Sequence, residues 1–180
     1  MPGPRLLGRP SRSLLNAYGS LLNAYGSLLT FWAMIPTHGR ILGVDWGKVR
    51  LGLALSDETQ TLATPLETLT RRQGKRVPMP RLLELTTGHD AVGAVVGLPL
   101  TLEGDEGESA ASARDLAETI ARRTGLPVEL WDERMSTARA LRAVREQGGS
   151  TRGRKQDVDA LAAAVLLQHF LDARRPIGAP

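Results

Sequence analysis

The sequence predicts an α/β domain built on a mixed five-stranded sheet with helices on both faces, over residues 36–175. Three observations lead there. Short apolar runs of strand length recur from Ile41 to Trp131, broken by Gly, Pro and Asp. The first two runs are separated by only a few residues around Gly47 and Lys48, so they must turn back as a hairpin. After the third run, strand and helix patterns alternate, which places parallel strands beside the hairpins.

Each element has its own signal. Ile41–Val44 is a buried strand running into the turn Asp45-Trp46-Gly47, and residues 51–55 return beside it. Residues 61–69 add a third antiparallel strand, which Pro65 assigns to an edge because proline cannot donate to an inner ladder. Residues 80–87 form a helix with Leu82, Leu83 and Leu85 on one side, stopped by Gly88. Residues 91–96 are the next strand, and 100–108 a polar glycine-bearing loop. A helix over 109–124 turns Leu116 and Ile120 inward and ends before Gly125. Residues 127–131 are the fifth strand, Ser136 caps a helix to about residue 146, and 147–155 are a Gly- and Arg-rich loop. The last helix covers 156–171.

Residues 1–35 stand apart. Ser13–Gly26 is a perfect tandem heptad, SLLNAYG twice, with SLL beginning again at Ser27. Two short units are too few for a solenoid, and a glycine in each opposes a coiled coil. The stretch is also too broken by Asn and Gly for a membrane span. It reads as a disordered or non-native extension, with Met34 as the natural start.

Composition narrows the chemistry. The chain of 180 residues has no cysteine, which removes disulfides, thiolate zinc sites and cysteine nucleophiles and fits a reducing cytoplasm. Its three histidines, His38, His89 and His169, lack zinc-site spacing. Aromatics make up only 4%, too few for stacked single-strand platforms. The net charge of +4 owes most of its excess to Arg5, Arg9 and Arg12, so the domain itself is nearly balanced. Only charge placement can therefore point to nucleic acid.

Three acids carry that placement. Asp45 follows the first strand and Glu133 the fifth, so parallel strands would bring both to one edge of the sheet, where ligands bind. Helical geometry selects the third. With Val158 at 0°, Leu161, Ala162, Val165, Leu166, His169 and Phe170 fall at about 300°, 40°, 340°, 80°, 20° and 120°. Asp159, at about 100°, lies inside that apolar arc, and Asp157, at about 260°, lies outside it. The small residues Ala160, Ala162, Ala163 and Ala164 let the helix approach the sheet, bringing Asp159 toward Asp45.

No lysine or arginine is an evident fixed partner for Asp159, and grouped carboxylates call for a divalent cation. All-oxygen ligands suit Mg²⁺ or Mn²⁺, in a two-metal site that clamps a phosphodiester. Singly, each acid has an ordinary reading: Asp45 as a turn residue, Glu133 and Asp159 as acids favoured near helix starts. Lys48, Arg50 and Arg134 lie beside the acids, and Arg152, Arg154 and Lys155 in the late loop. All six are candidate phosphate contacts, with solvated surface charge as the alternative.

Residues 41–57, ILGVDWGKVRLGLALSD, resemble the opening motif of the YqgF/RuvX family of Holliday-junction resolvases. VVGLPLTLEGDEG from Val95, WDERMSTARA from Trp131 and DVDALAAAVLLQHFLD from Asp157 are similar to its later motifs, in order. The resemblance implies a ribonuclease-H-like fold and a catalytic, metal-binding triad of Asp45, Glu133 and Asp159. It implies an endonuclease acting on branched DNA or on the end of precursor 16S rRNA. No membrane is involved, and a homodimer is called for if a four-way junction is cut symmetrically. Gln156 departs from the related RuvC resolvases, which place a further acid there. Two other classes remain: a nucleic-acid-binding factor without catalysis, and an actin- or sugar-kinase-like ATP-binding domain suggested by Asp45-Trp46-Gly47. The second normally needs two such domains.

Overall fold

The computed structural model describes residues 34–71, 77–100, 105, 107–132 and 155–175. Five strands form one sheet: β1 (Ile41–Trp46), β2 (Arg50–Ser56), β3 (Ala63–Thr70), β4 (Gly93–Leu98) and β5 (Val128–Asp132). Three helices accompany them: α1 (Met79–Gly88), α2 (Glu108–Thr124) and α3 (Lys155–Arg174). The strand order is β3-β2-β1-β4-β5. β1 pairs antiparallel with β2 and parallel with β4, and β4 pairs parallel with β5. This is the mixed five-stranded sheet that the sequence predicts. The helix expected over 136–146 lies outside the described residues.

Strand alternation divides the core in two. On β1, Leu42, Val44 and Trp46 face the side covered by α1 and α2, with Leu82, Leu85, Leu116 and Ile120. Ile41 faces the other side, where α3 supplies Ala163, Leu166, Leu167 and Phe170. Helices therefore cover both faces. Trp131 of β5 meets Phe170 edge-on, ring centroids 5.3 Å apart. A pair in that geometry adds about 1 kcal/mol to its area burial. No helix among the described residues is long and apolar enough to cross a membrane.

Several boundaries differ from the sequence reading. β1 runs through Asp45 and Trp46, because its ladder with β2 continues through Asp45↔Gly52 and Trp46↔Leu51. β4 covers 93–98, where parallel pairing with β1 and β5 begins and ends. β3 is the edge strand that Pro65 indicates, and its register shifts between Leu53 and Ala54, opposite the proline. Ile35 is buried beside Gly93, and its carbonyl accepts a 2.6 Å hydrogen bond from Arg174 Nη2. α3 is tied to the edge strand by Gln168, which accepts from the Ala63 N–H at 2.9 Å and donates to the Thr61 carbonyl at 3.0 Å.

Candidate active site

Alternation places Asp45 on the α3 face of β1, between core positions Val44 and Trp46 that face the opposite way. Its cross-strand neighbour is Gly52. A Cβ at Gly52 would stand 1.8 Å from the Asp159 carbonyl oxygen, so only glycine lets α3 lie this close. A lesser version of the same contact occurs at Gly43, where a Cβ would be 2.9 Å from Leu167 Cβ. The two glycines and the alanine face of α3 thus press the helix onto β1 and β2. Gly52 is thus the neighbour of both acids, paired with Asp45 across the ladder and lying under the Asp159 backbone, and the two acids are 1% and 0% exposed.

The same row continues toward β5. Continued by one residue, the register Val44↔Val96 brings Asp45 level with Gly97, and Gly97 pairs with Trp131. Gly97 therefore sets no side chain beside Asp45. β1, β4 and β5 run the same way, so the ends of β1 and β5 lie at one edge. β5 ends at Asp132, and Glu133 follows it outside the described residues.

α3 is rotated relative to the arc expected from the sequence. Asp159, Ala163, Leu166, Leu167 and Phe170 are buried, which centres the inward face near about 130° on the earlier wheel. Leu161, expected inward, is 45% exposed, and Val165 is only partly buried. The reason is steric: the alanine side fits against Gly43 and Gly52, and branched Leu161 and Val165 would hold the helix off. Asp159 is consequently near the centre of the buried face.

The expectation that Asp159 has no fixed cationic partner is overturned. Arg50 Nε lies 2.7 Å from Asp159 Oδ2. Arg50, Gly52 and Ala54 share one face of β2 by alternation, so the strand that admits the helix also supplies its counter-charge. A period-two reading of β2 carries this signal, but the distance to α3 does not exist in sequence. Lys48 is exposed in the hairpin, at the same end of the sheet. Arg134, Arg152 and Arg154 lie outside the described residues, and Lys155 is placed only as the first residue of α3. Sequence reasoning also missed Arg71, whose guanidinium lies 4.4 Å over the Trp46 ring at this end of the sheet.

The donor chemistry fits a hard divalent cation. Both described acids offer carboxylate oxygens, withdrawn from water, where their negative charge demands compensation. Such oxygens suit Mg²⁺ or Mn²⁺, which take one or two carboxylates together with substrate phosphate. Among the described residues no group of three His, Cys, Asp or Glu side chains gathers. Asp45 and Asp159 are the described part of the expected set.

The model of the family described as "RuvX: Holliday junction resolvase" matches residues 39–173. The chain belongs to the RuvX family. Among its relatives, a protein of Anaeromyxobacter sp. (strain Fw109-5) is 47% identical over 135 residues, 75% of this chain and 98% of that one. One from Mycobacterium sp. (strain KMS) is 44% identical over 141 residues, 78% of this chain and 83% of its own. Both bear the name "Putative pre-16S rRNA nuclease". Among solved structures, Thermus thermophilus RuvC with a Holliday junction substrate superposes with a TM-score of 0.49 at 22% identity. The match covers 76% of this chain and 96% of that one.

Proposed function

We propose that this RuvX-family chain is a divalent-metal-dependent endonuclease that hydrolyses phosphodiester bonds in structured nucleic acid. The observation that supports the reading is the burial of two acids, Asp45 on β1 and Asp159 on the helix that lies against Gly52, the cross-strand neighbour of Asp45. Burying two acids in one place is costly unless cations are bound there, so this arrangement serves chemistry better than stability. Glu133, next in sequence after β5, is the proposed third ligand.

Asp45, Glu133 and Asp159 would hold Mg²⁺ or Mn²⁺, which when bound supplies activated water and stabilises the departing oxygen. The chain's own contribution is to fix the carboxylate oxygens on a strand and a helix, elements too rigid to drift. Lys48 at the hairpin, with Arg134, Arg152, Arg154 and Lys155, would hold substrate phosphates and set the register of the duplex. The relatives' name and the family's description suggest two substrates, precursor 16S rRNA and four-way DNA junctions. Both would be met in the cytoplasm, and symmetric cutting of the second requires a homodimer.

The test is to incubate the protein with end-labelled precursor rRNA and four-way junction in Mg²⁺ or Mn²⁺, beside Asp45→Asn. Metal-dependent cutting that the variant lacks is expected, and the faster substrate identifies the role. One observation favours a second reading, a binding factor without catalysis: Arg50 already occupies an oxygen of Asp159. Binding that survives EDTA, with no cutting of either substrate, would establish that reading instead.

A further inference from the structure

The Arg50–Asp159 pair and a metal compete for the same oxygen. Asp159 is fully buried, whereas the Arg50 side chain is 26% exposed, so the guanidinium has a path to solvent and the carboxylate has none. The contact is 2.7 Å long but departs from hydrogen-bond angles. Its attraction is therefore mainly coulombic, and another cation can replace it without loss of a directional bond. The backbone of Arg50 is held in the ladder opposite Thr70, so only the side chain would need to rotate.

We propose that Arg50 is a built-in counter-ion that holds Asp159 in the metal-free protein, is displaced when a divalent cation binds, and then takes a phosphate of the nucleic acid. The inference rests on reading Asp45 and Asp159 as metal ligands. It reconciles the two observations that otherwise conflict, a carboxylate set suited to a metal and a cation already in place. The exchange swaps one counter-ion for another, so Asp159 stays compensated throughout. Metal and guanidinium repel, which drives Arg50 outward, toward the edge where exposed Lys48 already faces the solvent. Catalytic-site metal and substrate contact are thereby coupled: the arginine reaches phosphate only after the site is loaded.

The experiment is a calorimetric Mn²⁺ titration of the full chain, its Arg50→Gln and Arg50→Lys variants and Asp159→Asn. With competition removed, Arg50→Gln binds Mn²⁺ roughly tenfold tighter than the parent protein, as for loss of a partly buried charge pair. Arg50→Lys, which keeps the charge without the planar fork, falls between them. At saturating metal, Arg50→Gln raises KM for nucleic acid more than it lowers kcat. In the unmodified protein, Mg²⁺ shifts the Arg50 Nε–H resonance in NMR spectra toward that of a solvated arginine, a measurement independent of how the variants fold. Equal or weaker Mn²⁺ binding by Arg50→Gln, or an Nε–H resonance indifferent to Mg²⁺, overturns the proposal. If Asp159→Asn binds Mn²⁺ as the parent protein does, the metal reading fails, and the proposal with it.

Discussion

At the scale of single residues, this domain tolerates charge where a stable core would have none. Asp45 and Asp159 are as buried as Leu42 or Phe170. Replacing either by asparagine keeps the shape and removes an anionic oxygen. Cleavage by either variant should fall at least about a thousandfold, with far-ultraviolet circular dichroism unchanged. Asp57 shows the opposite use of a carboxylate. Burial works against its charge, but the N–H groups of Leu62 and Thr61 and the Thr59 hydroxyl donate to it and hold its pKa at about 2, below the usual 3.8. Because the folded value is the lower one, the stabilisation is complete above about pH 4 and lost as pH falls toward 2. Asp57→Ala should cost about 1–2 kcal/mol in urea unfolding at pH 7, and much less at pH 2. An equal cost at both values would exclude this role.

At the scale of elements, the decisive contact is α3 against β1 and β2. Gly52 leaves no room for even a methyl group, since the atom it would strike is backbone. Gly52→Ala must therefore push α3 outward, costing about 3 kcal/mol or more. It should also weaken Mn²⁺ binding by moving Asp159. Gly43→Ala meets Leu167 Cβ at 2.9 Å, an atom that moves only with the α3 backbone, but the overlap is much smaller than the 1.8 Å one at Gly52. Its loss of Tm should be clearly smaller, and thermal unfolding of the two variants gives the ranking directly. At the other end, Ile35 is 1% exposed, and Ile35→Ala should cost about 3 kcal/mol by opening a cavity beside Phe170 and Gly93.

At the scale of the molecule, the proposed metal site would link cation binding to folding. A cation bound only by the native state at a hundred times its Kd adds about 2.7 kcal/mol, or roughly 5–10 °C in Tm for a domain of this size. The rise should appear with Mn²⁺, vanish with EDTA, and be absent in Asp45→Asn. A chain beginning at Met34 should keep the parent's Tm and cleavage rate, because the family match begins at residue 39. A lower Tm would show that residues 1–33 contribute to the fold.

Periodicity in the sequence was enough to establish the order of the described strands and helices, the edge position of β3 and the inward position of Asp159, because side-chain spacing is a local property. The four ordered motifs sufficed for the family. Local patterns could not supply the rotation of α3, the burial of Ile35 or the partner of Asp159. Hydrophobicity alone put Leu161 and Val165 inward, whereas the fit of alanines against Gly43 and Gly52 turned the helix toward its small residues. Arg50 and Asp159 are 109 positions apart, and nothing in the chain between them records that they meet at 2.7 Å. That pairing depends on how closely two backbones approach, and only tertiary packing decides it.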